Sequence, residues 1–344
     1  MPVRSWRKTA VALALIVTMG LAACSSGSAG AFHAPMGGTA LASALDQVPD
    51  MPDVYVFFTD WAAMGHRAPS APGAASFAGQ LLGSDADFYR DLGLRSTDSQ
   101  WELDVDRLKQ PPLILLGFDE HTDLSGVADK LAGLGYHANG SVFTGAADPN
   151  RMWTMGLTNI GLDPRRHLFV GGRDVSAVRA TLAGPANALG RSPAVTPSLA
   201  LVEAKLGHVA TAYVAVGSMA CVKLSDLLRI HGTPAILAAL RRQFPGTFDP
   251  PQAEIMALAN PASTTALDAL TFADPHTARA NKAGRSAAVK TFNPAVSMDP
   301  HAITLTSSAV TGRVLSFSLS AEQPDDIKQS VLYQRLGVDV CPRS

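Results

Sequence analysis

Residues 113–135 read LILLGFDEHTDLSGVADKLAGLG, and this stretch predicts two consecutive elements. Its first six residues form a continuous apolar run, which is typical of a buried strand. Apolar residues then recur at helical spacing from Leu124 to Leu134, and Gly135 follows them as a C-terminal helix signal. A buried strand that leads directly into an amphipathic helix indicates a mixed α and β fold.

The residues that follow extend this pair into a β-α-β-β-α unit. Further extended segments are predicted at 136–144, 152–162 and 166–170. Gly171-Gly172 is interpreted as a tight turn, with a phosphate-binding loop as the alternative. Asp174 is the predicted cap of a helix over 175–182.

A second unit with the same order is predicted in the C-terminal part of the chain. It comprises a strand at 266–272, a helix from Asp274-Pro275 to about Lys290, a hairpin within 303–320 and a last helix over 324–337. A few identical residues support a repeat, because those shared by segments 41–62 and 199–220 are all related by one fixed offset. A similar offset relates Leu113, Leu116 and Phe118 to Leu267, Leu270 and Phe272.

The expected fold class is therefore α+β, with two related halves that each end in a β-α-β-β-α unit. Antiparallel-rich sheets would carry their helices on one face. The halves are predicted at 39–184 and 199–344, and segment 185–198, which is rich in proline and glycine, is the predicted linker. Residues 41–184 and 199–341 should then superpose with matching strand order.

The N-terminus has the zones of an export signal. Three cations, Arg4, Arg7 and Lys8, precede an uncharged and mostly apolar run over 9–20, which is too short to span a membrane. Leu21-Ala22-Ala23-Cys24 then resembles a bacterial lipobox. An ordinary secretory signal with a chance cysteine is the alternative.

The lipobox resemblance implies that residues 1–23 are a signal peptide and that Cys24 becomes a lipidated N-terminus. Diacylglyceryl and palmitate-type chains on Cys24 would anchor the protein to the extracytoplasmic face of the cell membrane. The small residues over 24–38 are then a flexible tether. The predicted membrane contact is through the lipid alone.

Three further segments resemble a group of uncharacterised actinobacterial lipoproteins. They are Tyr55-Val56 with Thr59-Asp60-Trp61, then Trp101-Glu102-Leu103, then Pro111-Pro112-Leu113. No activity is established for that group, so the resemblance implies a fold and not a function.

Composition and local motifs exclude several classes of function. Hydrophobic content of 47% and charged content of 17% indicate a well-cored globular body. Removal of the three signal-peptide cations changes the net charge from −1 to −4, which disfavours a nucleic-acid partner. The motifs of common hydrolases, zinc proteases and nucleotide-binding loops are missing, and the nearest two of nine histidines are 16 positions apart. The sequence predicts no cofactor and no local metal motif.

Two cysteines remain besides the lipidated one, Cys221 and Cys341. The exported setting is oxidising, so a disulfide between them is predicted. Two free buried thiols are the alternative.

Three carboxylates, Glu102, Asp104 and Asp106, alternate with apolar residues. If this segment is a strand, the carboxylates share one face. A solvated strand face is the main interpretation, and a calcium site is the alternative.

Two other groups are weak binding-site candidates. Asp119 and His121 follow a predicted strand and could do acid–base work, although His276 holds a similar place in the second half and favours a capping role. In the group Asp60, Trp61 and His66, the aspartate fits an N-cap and the tryptophan fits a contact between halves. An exposed tryptophan could instead line a binding cleft.

These features predict a non-catalytic extracytoplasmic lipoprotein that binds a protein partner or a ligand at the cell envelope. A hydrolase using Asp60, Asp119 or His121 is one alternative, and a carrier of an apolar ligand such as lipid is another. An exposed apolar patch on a well-packed body would favour partner binding. A convergent carboxylate and histidine would favour the enzyme, and a large apolar cavity would favour the carrier.

Overall fold

A computed structural model of the chain describes residues 39–66, 79, 81–223, 248–291, 303–324, 326–327 and 340–341. The predicted signal peptide, the tether with Cys24 and most of the predicted last helix lie outside these residues. The protein mixes helices with a large antiparallel sheet.

The described part of the chain contains six α-helices and fourteen strands. The helices α1 to α6 are Ala40–Leu45, Asp85–Leu92, Ser125–Gly133, Val175–Leu182, Thr196–Leu206 and Pro275–Thr291. Strands β1 to β7 are Val54–Asp60, Trp101–Arg107, Leu113–Gly117, His137–Asn139, Val142–Thr144, Asn159–Asp163 and Leu168–Gly172. Strands β8 to β14 are Thr211–Val216, Val222–Lys223, Ala253–Leu258, Thr265–Thr271, Thr304–Thr311, Val314–Ser320 and Val340–Cys341. None of the helices described here combines the length and the apolar character needed to cross a membrane.

Twelve of the strands form one continuous antiparallel sheet. Strands β1 and β8 pair near its middle, where Phe57 lies opposite Tyr213. From β1 the order continues outward as β2, β3, β7, β6, β5 and β4, and from β8 it continues as β10, β11, β13 and β12. The remaining strands, β9 and β14, form a separate parallel pair.

Helices cover both faces of this sheet, so the prediction that they lie on one face is wrong. Strand β3 shows the reason, because all five of its residues are buried. Leu113 and Leu115 belong to a core under α1, α4 and α5, which we call the α1 face. Ile114 and Leu116 belong to a second core under α2 and α3 on the opposite side, which we call the α2 face. Helix α6 packs on a third core farther along the sheet.

The strand and helix predictions with clear capping signals are confirmed. Helix α4 begins after Asp174, whose carboxylate accepts hydrogen bonds from the backbone N–H groups of Ser176 and Ala177. Helix α6 begins at Pro275, and strands β12 and β13 form the predicted hairpin.

Two local predictions within 152–172 are wrong. Met152–Met155 is a short 3-10 helix and not an extended segment. Gly171 and Gly172 are strand residues at the end of β7 and not a turn. A Cβ atom on Gly172 would lie 2.6 Å from Leu113 Cδ2, so close packing against β3 explains the glycine.

Segment 185–198, the predicted linker, packs against the body. It contains a 3-10 helix at Leu189–Arg191, and the side chains of Leu189 and Val195 are buried in the core of the α1 face. The backbone N–H of Leu189 donates a hydrogen bond to the carbonyl oxygen of Val48.

Candidate functional site

Asp60, the last residue of β1, is buried, and the turn that follows it at 61–66 is mostly exposed apart from Trp61. One carboxylate oxygen accepts a hydrogen bond of 2.8 Å from the backbone N–H of Ala63, which resembles the predicted capping role, although residues 61–66 form turns and not an α-helix. The other oxygen lies 3.9 Å from Nε2 of the exposed His208. Burial raises the pKa of Asp60, while the Ala63 bond and the charges of His208 and His66 oppose that rise.

Trp61 is fully buried, so the alternative of an exposed tryptophan lining a cleft is wrong. Its indole N–H donates a hydrogen bond of 2.8 Å to Oε2 of Glu102. The register of β1 with β2 brings Trp61 close to Glu102, because Asp60 pairs with Trp101 and Thr59 pairs with Glu102. The sequence therefore contained both partners of this contact, but it gave no sign that strand pairing joins them.

Glu102, Asp104 and Asp106 share one face of β2, as the alternation predicts. That face is not solvated, so the main interpretation of these residues is wrong: Glu102 and Asp104 are 0% and 1% exposed, and Asp106 is half-buried. The backbone N–H of Gly79 donates a hydrogen bond of 2.9 Å to Asp104, so Gly79 lies against this face of β2.

The environment of Glu102 strongly favours its protonated form. Burial raises its pKa well above the ordinary value, the neighbouring charge of Asp104 adds to the rise, and the hydrogen bond from Trp61 opposes it. The neutral acid is therefore favoured at Glu102. Within the described ranges, no group of three or more histidine, cysteine, aspartate or glutamate residues is arranged to hold a metal ion.

His66 is near enough to Asp60 for its charge to lower the pKa of that carboxyl, whereas Asp119 and His121 lie together in another turn. The Nδ1 atom of His66, an exposed residue, lies 3.0 Å from the carbonyl oxygen of Thr97. Asp119 accepts hydrogen bonds from the backbone of His121 and from the hydroxyl of Thr122, so it closes a turn. The His121 side chain is exposed and lies 3.9 Å from Glu120.

The same kind of turn follows β11. Asp274 accepts hydrogen bonds from the backbone N–H groups of His276 and Thr277 and from the Thr277 hydroxyl. Both positions thus have the capping role that the sequence favours, and the geometry gives no pairing of Asp119 with His121 for acid–base chemistry.

A surface feature that the sequence did not indicate lies on the α2 face. Tyr89, Met152 and Met155 are 47%, 64% and 47% exposed, and we call them the methionine patch. They are three of the four exposed large hydrophobic side chains among the residues described, and the fourth is Leu108. Soluble proteins scatter such residues singly, so three on two contacting elements are notable.

The elements that carry the patch are fixed to one another. Trp153, between the two methionines, is buried and makes an edge contact with Phe88 at 5.6 Å between ring centroids. Its indole N–H donates a hydrogen bond of 3.0 Å to Asp91 on α2, and Arg151 Nε lies 3.3 Å from the same carboxylate. The 3-10 helix is therefore held on α2 while its methionines remain in solvent.

Comparisons with known proteins add little to this description. No family model and no curated protein matches the chain. Among solved structures, the chain is similar to crystal form I of TP0453, with 11% identity and a TM-score of 0.38 over 85% of this chain and 96% of that chain.

Proposed function

We propose that the protein is a non-catalytic lipoprotein of the cell envelope that binds a protein partner through the methionine patch. The observation that carries this proposal is the exposure of Tyr89, Met152 and Met155 on a well-packed scaffold. Exposed apolar clusters on otherwise polar surfaces mark interaction sites.

The chemistry of the patch favours a protein as the occupant. Tyrosine, methionine and arginine are enriched at the centres of protein interfaces, and methionine side chains adapt to the shape of a partner. Arg95 lies over the Tyr89 ring at 4.5 Å. Arg90 and Arg151, which are next to Tyr89 and Met152 in the chain, pair with Asp87 and Asp148. Protein interfaces commonly combine an apolar centre with polar and charged residues near it, so these neighbours are compatible with a protein partner.

We propose that this body is held to the extracytoplasmic face of the cell membrane by lipid on Cys24. The support is the lipobox at residues 21–24. The tether over 24–38 could extend to at most about 50 Å, so it would not restrict which side of the body meets a partner.

The patch is tested by site-specific photo-crosslinking in cells. A photo-reactive amino acid at Met152 should give a discrete protein adduct, because the patch would be covered in the complex. Leu108 is the matched control, since it is another exposed hydrophobic residue, 45% exposed and outside the patch. The adduct from Met152 should disappear when Met155 is changed to Glu.

Other outcomes overturn the proposed role of the patch. They are equal protein adducts from Met152 and Leu108, adducts with lipid alone, or an adduct that persists in the Met155→Glu variant. Both methionines are surface residues, so loss of folding does not confound the result.

We also propose that the two halves are related by duplication. The support is the strand order: outward from the central pair, β1-β2-β3-β7-β6 and β8-β10-β11-β13-β12 follow the chain in the same sequence. Buried carboxylates also occupy equivalent places, because Asp104 lies opposite Phe57 and Glu254 lies opposite Ala215. In an experimental structure, residues 41–184 should superpose on 199–341 with these strands matched, and a different alignment of strands would count against common ancestry.

A further inference from the structure

Cys221 and Cys341 lie together outside the large sheet. Cys221 follows the 3-10 turn after β8, and Cys341 is in the short strand β14. Their sulfur atoms are in close contact, and their Cα atoms are 5.7 Å apart, which is within the range that the predicted disulfide requires.

A buried cation lies beside one of the two sulfurs. Arg285 on α6 is fully buried, and its Nη2 atom is 3.8 Å from Sγ of Cys341. The same Nη2 donates a hydrogen bond of 2.6 Å to the carbonyl oxygen of Asp249, and Nε donates one of 3.3 Å to Asn281. These bonds fix the guanidinium against Cys341.

The surroundings of Arg285 strengthen its effect on a nearby charge. Its guanidinium carbon lies 5.5 and 5.6 Å from the ring centres of Phe248 and Phe272. Arg285 is fully buried and water is therefore largely excluded around it, so a thiolate formed at Cys341 would interact with this cation more strongly than it would on the protein surface. In the disulfide, Cys341 carries no charge, so this stabilisation acts only after the S–S bond breaks.

We propose that the Cys221–Cys341 pair is a thiol-exchange site, attacked at Cys221, with Cys341 as the leaving group held by Arg285. The co-reactant is a dithiol protein of the thioredoxin type. Its thiolate forms a bond to Sγ of Cys221, the S–S bond breaks, and its electron pair leaves on Cys341. The second thiolate of the dithiol then attacks the mixed disulfide and releases Cys221. Two electrons pass to the cysteine pair, the dithiol becomes a disulfide, and protons from the dithiol or water balance the thiolates.

The packing of the two cysteines agrees with this direction of attack. Cys221 is 8% exposed, whereas Cys341 is 1% exposed. The strands next to them, β9 and β14, pair over two residues only and do not join the twelve-stranded sheet. Such a short pair can open locally without disturbing the main core, and opening would expose Cys221 to a thiol.

The direction of exchange can be tested with the native lipidated chain and reduced glutathione. Thiols are counted first, before any reductant is added, and two free thiols at that stage would overturn the proposal. Glutathione is then added, the reaction is quenched with acid and the adduct is located by mass spectrometry. Glutathione on Cys221 is expected. An adduct mainly on Cys341, equal labelling of both cysteines, or no adduct after prolonged exposure overturns the assignment.

The role of Arg285 is tested separately. A small dithiol should reduce the Arg285→Met variant more slowly than the parent. The expected decrease in rate is about threefold for each unit by which the substitution raises the Cys341 thiol pKa. Arg285→Lys retains a positive charge and should stay closer to the parent. Equal rates in the parent and the methionine variant would overturn the role of the cation.

A second measurement applies if Arg285→Met does not fold. In a Cys221→Ser variant, Cys341 is the free thiol, since lipid occupies Cys24. Its thiolate absorbance should titrate with a midpoint below about 8.5, the value of an unperturbed cysteine. A midpoint at or above that value overturns the assignment of Cys341 as the stabilised leaving group.

Discussion

Glu102 shows how a single residue can make stability depend on pH. Its side chain is fully buried, and the burial raises its pKa in the folded protein. The unfolded chain would release that proton near pH 4.3. Between the unfolded and folded pKa values the folded state therefore binds more protons than the unfolded state, and the free energy of unfolding falls as pH rises.

Replacing Glu102 with Gln should remove this fall. The amide oxygen can still accept the hydrogen bond from Trp61, but it has no proton to lose. Above pH 4.3, we expect the free energy of unfolding of the parent to fall relative to that of the variant by up to about 1.4 kcal/mol per pH unit. Urea unfolding at a series of pH values measures the difference.

Glu120→Gln is the matched control for that experiment, because it makes the same substitution on a side chain that is 71% exposed. It should follow the parent curve. If Glu102→Gln also follows the parent curve, the buried carboxyl does not control the pH dependence.

Among the elements, those with a periodic pattern and a capping residue were predicted well. Such local signals occur in strand β3 with α3, in helix α4 after Asp174 and in helix α6, which begins at Pro275. Strand β10 was missed, since Glu254 interrupts its apolar run, although all six of its residues are buried. Local pattern cannot show that a carboxylate will be covered by another part of the chain.

The candidate site was harder to predict because it depends on pairing between distant segments. The contact of Trp61 with Glu102 joins residues 41 positions apart, and the register of β1 with β2 creates it. The methionine patch depends on the 3-10 helix at 152–155, where Trp153 and Thr154 are buried while Met152 and Met155 are exposed. Neither the register nor the turn type has a distinct local sequence signal.

The cap of α4 gives a prediction for one element. Asp174 caps two backbone N–H groups, and the half-buried Arg107 on β2 reaches its carboxylate at 3.3 Å. Asp174→Ala removes both interactions and should lower the free energy of unfolding by about 1–2 kcal/mol. Asp174→Asn, which retains an oxygen to cap the helix, should lose less. If the two variants lose equal stability, the stabilising effect of Asp174 comes from its charge and not from capping.

For the whole molecule, lipid anchoring is a prediction that the sequence alone makes. Cys24→Ala removes the thiol that would accept the lipid, so labelling with a fatty-acid analogue should be lost and the protein should be released or remain unprocessed. Cys221→Ala is a suitable control, because it removes a cysteine outside the lipobox. Equal labelling of the Cys24→Ala variant and the parent would refute the anchor.

Because the sheet is continuous, we predict that the two halves unfold together. Strands β1 and β8 pair at the junction, and the core of the α1 face includes residues from both halves, among them Phe58 and Val214. Separation of the halves would expose this shared core and leave two long sheet edges without partners. Unfolding should therefore be a single transition across 39–344.

Tryptophan fluorescence can test that cooperativity, because every tryptophan beyond the predicted signal peptide lies in the first half, at 61, 101 and 153. Phe317 is a fully buried residue of β13 in the second half. Phe317→Ala should cost about 3–5 kcal/mol and shift the fluorescence transition as far as the transition seen by circular dichroism. Phe169→Ala, at a fully buried phenylalanine of β7, supplies the matched variant in the first half. If Phe317→Ala leaves the fluorescence midpoint unchanged while circular dichroism shows an earlier loss of structure, the halves are independent and the shared sheet does not couple them.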